Sequence, residues 1–215
     1  MTPSVTKPLM RGWFHVGMVP LAMIGGLILL VLTPTVQGRV GSAVWLTAAL
    51  ILFGISGLYH RGNWPPKVEF WLRRTDHANI FLFIAGCYTP LALLLLPSDQ
   101  ATLLLGLIWT VAALGVAREM LWHSAPRWLD VVLYIAMGWL SIAWMGSFYA
   151  TGGVAVVALM AAGGLAYTLG AIVYALKWPN PSPKYFGYHE IFHAGTVIGA
   201  SCHYAAILVA AIGLR

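Results

Sequence analysis

The chain is written in long apolar blocks separated by short polar stretches. "HVGMVPLAMIGGLILLVLTP", "ANIFLFIAGCYTPLALLLLP" and "HAGTVIGASCHYAAILVAAIGL" each approach the ~20 residues that a helix needs to cross a bilayer. Hydropathy predicts seven such spans, over 12–34, 42–60, 77–96, 101–122, 128–148, 153–176 and 188–212. Most connectors carry turn chemistry, among them "TPTVQGRVGS", "RGNWPPKVEFWLRRT", "PSDQ", "HSAPRW" and "KWPNPSPKYFGY". The connector "ATGG" is the weakest, so spans five and six are the pair most easily joined. The first run is long and lacks a small-residue cleavage site, so it reads as a spanning helix and not as a signal peptide. No internal repeat is visible. The expected fold is all-α, a single seven-helix transmembrane domain over residues 1–215.

Composition supports this class. Of the 215 residues, 60% are hydrophobic and 8% charged, against about 25% charged in a soluble domain. Mean hydropathy is +0.82. With the N-terminus in the cytoplasm, Lys7, Arg11, Arg61, Lys67, Arg73, Arg74, Arg118, Arg127, Lys177 and Lys184 fall inside, while Arg39 and Arg215 fall outside. A split of ten to two among the 12 cations is a positive-inside signal and puts the C-terminus outside. The net charge of +6 is thus read as topology and attraction to anionic lipid heads, with membrane lipids as partners and no nucleic acid. Cys87 and Cys202 lie in apolar runs and read as packing residues. Trp13, Trp45, Trp64, Trp71, Trp122, Trp128 and Trp178 sit near span ends, as an interfacial aromatic belt does.

Ionisable residues inside spans are costly, and they pair, bind an ion or line a cavity. Span two ends at His60, span three begins at Asp76 and His77, and span seven begins with His189, Glu190 and His193. All lie at the cytoplasmic end. His189 and His193 are one turn apart, about 40° around the helix and about 6 Å along it, so both imidazoles reach one ion. "HEIFH" also matches the H-E-x-x-H signature of zinc proteases. The longer protease pattern wants a histidine six residues after the second, where this chain has Gly199. His203 lies about 15 Å further along the helix. His60 is the remaining nearby candidate, and three histidines from two helices with a carboxylate at hand suit a zinc ion with an open position. By itself, Asp76 fits equally an N-terminal carboxylate favoured by the helix dipole and paired with Arg73 or Arg74. Ser56, on the same face as His60, fits helix-packing glue. His77 reads as interfacial, His123 as a solvated loop residue, and His203 as a partner in a helix-to-helix hydrogen bond.

The stretches "SGLYH", "RRTDHANIFLFIAGCYTP" and "HEIFHAGTVIGASCHYAAIL" resemble the hemolysin III family, which groups with the progestin and adipoQ receptors and more remotely with alkaline ceramidases. The resemblance spans essentially all seven helices. It implies that His60, His189 and His193 bind Zn2+, that Asp76 holds or activates water, and that Ser56 supports the site. It leaves Glu190 at a variable position and makes the protease match accidental. Many relatives carry E-x2-N-x3-H near the start of span one; His15 fits its last position, but Pro8 and Arg11 replace the others, so span one has no assigned part in the chemistry. The expected activity is zinc-dependent hydrolysis of a lipid amide or ester at a bacterial plasma membrane. A receptor or membrane-state sensor with structural zinc is the alternative, with a pore-forming cytolysin behind it.

Overall fold

The computed structural model describes residues 8–214, with Arg127 described by its backbone alone. Lys7 and Arg215, two of the cations counted above, lie outside the described residues. The described chain is helical: α1 (Trp13–Leu32), α2 (Val36–Arg61), α3 (Pro66–Leu95), α4 (Ser98–Leu121), α5 (Arg127–Gly138), a 3-10 stretch (Leu140–Trp144), α6 (Met145–Leu176) and α7 (Tyr188–Gly213). Among the described residues, six helical stretches are long and apolar enough to cross a membrane: α1, α2, α3, α4, the continuous run Trp128–Leu176, and α7. This is a multi-pass integral membrane protein.

Helix bounds differ from the hydropathy reading where a cap or a proline sets them. α2 begins six residues early because Thr35 caps it, its hydroxyl accepting from the Gly38 amide at 3.1 Å. α3 begins at Pro66, in a stretch read as connector. Proline suits the first helical position, and nothing after it breaks the helix before Leu95. A 30-residue helix is about 45 Å long, against a hydrocarbon core of ~30 Å. Its first turns, with Lys67 and Glu69, therefore project past the apolar zone. Hydropathy detects only the apolar part of such a helix.

The stretch from Trp128 to Leu176 has 49 residues and would be about 74 Å long if straight. It breaks at Gly153, whose φ of 73° is left-handed, a conformation that glycine adopts without steric cost. Trp139 Nε1 donates to Thr168 Oγ1 at 2.9 Å, and these two residues lie almost symmetrically about Gly153. The chain doubles back there.

α3 is the centre of the bundle. It touches α2, α4, α5, α6 and α7, and 78% of its apolar window is buried, against 22% for α1. α1 shows the reason for the difference: Leu21, Ile24 and Val31 stand exposed as a lipid-facing surface. The interior is filled by Trp45, Phe53, Phe81 and Phe148. Trp45, expected in the interfacial belt, is instead a core residue against Tyr204, with ring centroids 5.4 Å apart. Trp13, Trp71, Trp122, Trp128 and Trp178 are exposed, as a belt requires.

Candidate metal centre

The histidines meet where the C-terminal end of α2 faces the N-terminal end of α7. One turn separates His189 from His193, and their Nε2 atoms are 3.1 Å apart. His60 brings its Nε2 to 3.3 Å from that of His189. One ligand atom from each of the three lies within 4.8 Å of the others.

The spacing can be tested against a metal. Zinc–imidazole bonds of 2.0–2.1 Å in a tetrahedron put neighbouring nitrogens about 3.3 Å apart, which the two measured separations approach. Imidazole chemistry points the same way. A neutral ring has one donor and one acceptor nitrogen, so three Nε2 atoms facing one another cannot all be satisfied by shared protons. A cation between their lone pairs satisfies all three. His193 is 2% exposed and its Nδ1 is buried without a hydrogen-bond partner, so its ring is held by packing.

Asp76 joins from α3, its Oδ2 3.6 Å from His60 Nε2. That is too long for a hydrogen bond but right for a group flanking the same centre. The alternative pairing of Asp76 with Arg74 does not form. Arg74 pairs with Glu119 at 3.8 Å, donates to the Glu119 carbonyl, and donates to the His123 carbonyl at 3.2 Å. Ser56 is buried and its Oγ lies 2.8 Å from His15 Nδ1.

His15 brings α1 into the site. Its ring stacks on His193 with centroids 3.8 Å apart and planes 5° apart. Its signal in the sequence is its place at the end of the span-one pattern, weakened by Pro8 and Arg11 at the preceding positions. Glu190 is the second residue that sequence reasoning passed over. It is fully buried, ion-paired with Arg11, and its Oε2 accepts from the Gly187 amide at 2.8 Å. With one oxygen on an arginine and the other capping a helix, it is not placed as the base of a protease. A glutamate within an apolar run needs a buried partner, and Arg11 lies four residues before His15.

The other histidines stay apart from the cluster of His60, His189 and His193. His203 Nε2 meets the Met160 carbonyl at 3.3 Å, the expected helix-to-helix bond. His123 stacks on Phe70. His77 bonds the Arg73 carbonyl through Nδ1 at 2.7 Å and lines the cavity described next.

A cavity of about 100 Å³ opens from the centre into the bundle between α3, α5, α6 and α7. His15, Asp76, His189 and His193 line it together with Ile80, Ile84, Val131 and Ile135, and Asp130, Tyr134 and Thr168 add further polar groups.

Comparison with known proteins adds the family. Residues 4–204 match the family described as Haemolysin-III related. The chain belongs to this family. It is 29% identical over 212 residues to Hemolysin-3 of Bacillus cereus, covering 97% of this chain and 93% of that protein. It is 28% identical over 169 residues to a Hemolysin-3 homolog of Bacillus subtilis (strain 168), covering 79% and 76%.

Proposed function

We propose that this protein is a zinc-dependent hydrolase of lipid amides or esters, working near the cytoplasmic face of a bacterial plasma membrane. The observation that carries this reading is the join between the two halves of the site. Two of the three clustered imidazoles, His189 and His193, and the Asp76 carboxylate face a cavity whose lining surface is mostly apolar. A purely structural metal site needs no such cavity, and a lipid chain needs one.

His60, His189 and His193 would hold the ion. Zinc bound there supplies a Lewis acid and makes water nucleophilic near neutral pH. The Asp76 carboxylate is placed to accept a proton at Oδ2 from water and return it to the leaving amine or alkoxide, as a general base turned general acid. Ser56 fixes the His15 ring, which in turn backs His193. The apolar wall of Ile80, Ile84, Val131 and Ile135 excludes water and takes the acyl chain.

The same proposal sets the topology: seven crossings, N-terminus inside, C-terminus outside. The reversal at Gly153 supports dividing Trp128–Leu176 into two crossings. The cation split supports the orientation and puts the metal centre on the cytoplasmic side.

A receptor or sensor with structural zinc is favoured by one observation: the three ligands tie α2 to α7, near opposite ends of the chain. The names of the relatives point to membrane lysis. Trp45, Phe53, Phe81 and Phe148 fill the interior and leave a single copy without a wide polar lumen. The deciding experiment measures zinc per chain in purified protein and turnover of N-acyl and O-acyl lipids in mixed micelles. About one zinc per chain, with turnover abolished by chelation and restored by zinc, is the expected result. Zinc without turnover across the panel would leave the structural role, and conductance in planar bilayers would favour the pore.

A further inference from the structure

The residues just before α1 form a strap over the metal centre. The Leu9 amide donates to the Lys184 carbonyl at 3.0 Å and the Met10 amide to the Tyr185 carbonyl at 3.1 Å. Arg61 Nη1 reaches the Leu9 carbonyl at 3.4 Å. Gly12 lies against His60 so closely that an added Cβ would sit 2.7 Å from the His60 Cβ. Between these attachments Arg11 enters and pairs with Glu190. The strap therefore touches the end of α2 that carries His60, the first turn of α7 that carries His189, and the loop leading into α7.

We propose that the Arg11–Glu190 pair is a positioning device for the metal centre, holding the first turn of α7, and with it His189 and His193, in register with His60. The proposal rests on the reading that these three histidines bind zinc. Glu190 is not one of the three converging ligands, so it acts on the ion through other groups. Its carboxylate is fully buried while the Arg11 side chain is 17% exposed, and a buried charge left without its partner is strongly unfavourable. Each residue of the pair sits close in the chain to a ring in the site: Arg11 lies four residues before His15, which stacks on His193, and Glu190 directly follows His189. Losing either partner frees the α7 turn and the α1 entry together.

A merely electrostatic influence makes a different prediction. Arg11 is a cation near a site for a cation, so removing its charge would tighten zinc and removing the Glu190 charge would loosen it. Positioning predicts loosening from both, because the geometry is lost either way. Groups that orient metal ligands are typically worth ten- to a hundredfold in metal affinity.

The test is zinc affinity by chelator competition on the purified full-length protein, with the thermal midpoint of the zinc-free form measured alongside. Arg11→Gln and Glu190→Gln are each expected to weaken zinc about ten- to a hundredfold, and the double variant no more than the worse single one. Arg11→Lys and Glu190→Asp keep the charges but not the fit, and are expected to weaken zinc less, in the same direction. They also serve if the glutamine variants do not fold. Shifts of opposite sign would reduce the pair to a field effect and overturn the proposal. Unchanged affinity with a lowered zinc-free midpoint would make it a bundle brace and overturn it equally. Wild-type protein that binds no zinc would overturn both this proposal and the metal reading, whereas a zinc-binding wild type with indifferent variants would overturn this one alone.

Discussion

Gly12 and Gly17 lie five residues apart, and the structure makes opposite demands of them. Gly12 has φ 82°, in the left-handed region, where a side chain costs about 1–2 kcal/mol. A Cβ there would stand 2.7 Å from the His60 Cβ and 3.5 Å from Arg61 Cδ. Carbon atoms pack at ~3.5–4.0 Å, so Gly12→Ala must move the strap and the end of α2 apart by roughly 0.8 Å or more. His60 cannot turn its Cβ away, because that atom is fixed to the helix backbone. Overpacking of this kind costs about 1–3 kcal/mol, and the two effects together give about 2–5 kcal/mol. Gly17 lies within α1 with nothing within 4 Å of an added Cβ. Gly17→Ala should therefore stabilise, by about 0.5–1 kcal/mol from reduced backbone freedom in the unfolded chain. Thermal unfolding in one detergent, with zinc per chain measured on the same samples, compares them. Gly12→Ala should lose stability and zinc together, and Gly17→Ala should lose neither. If the two variants unfold within about 0.5 kcal/mol of each other and both keep full zinc, the close contact between the strap and His60 is wrong.

Zinc should be lost from His60→Ala, His189→Ala and His193→Ala and kept by His123→Ala and His203→Ala; loss from His203→Ala with retention by His60→Ala would put the centre at the wrong depth. Asp76→Asn should keep zinc near wild-type content while hydrolysis falls roughly 10²–10⁴-fold, the usual worth of a general base, and a variant without zinc would make Asp76 a ligand. Reporter fusions at Lys67 and Lys184 should read cytoplasmic and one at the C-terminus exterior, and equal signals at all three would remove the proposed topology.

The sequence by itself determined the membrane class and the helical fold. Length and apolarity of a run are local properties, and a bilayer accepts little other than helices and closed barrels. It also brought His60, His189 and His193 to one end of the bundle, where the structure clusters them. The one-turn spacing of His189 and His193 is helix geometry, and the alternating direction of the spans brings His60 to the same end. What the sequence could not carry was the rotation of each helix about its axis. In a soluble helix the polar face shows which side turns outward, but in lipid both sides are apolar and that signal vanishes. Only the tertiary structure therefore showed that His15 faces inward onto His193, that Trp45 belongs to the core, and that Ser56 serves His15. The Arg11–Glu190 pair joins residues 179 apart in the chain, a separation at which no local pattern operates. The reversal at Gly153 falls where the hydropathy reading divides spans five and six, but its signal is weak: "ATGG" holds no charge or proline to mark a turn, and the break is made by the backbone angle of one glycine. Chain chemistry set which groups had to find partners; packing alone chose the partners.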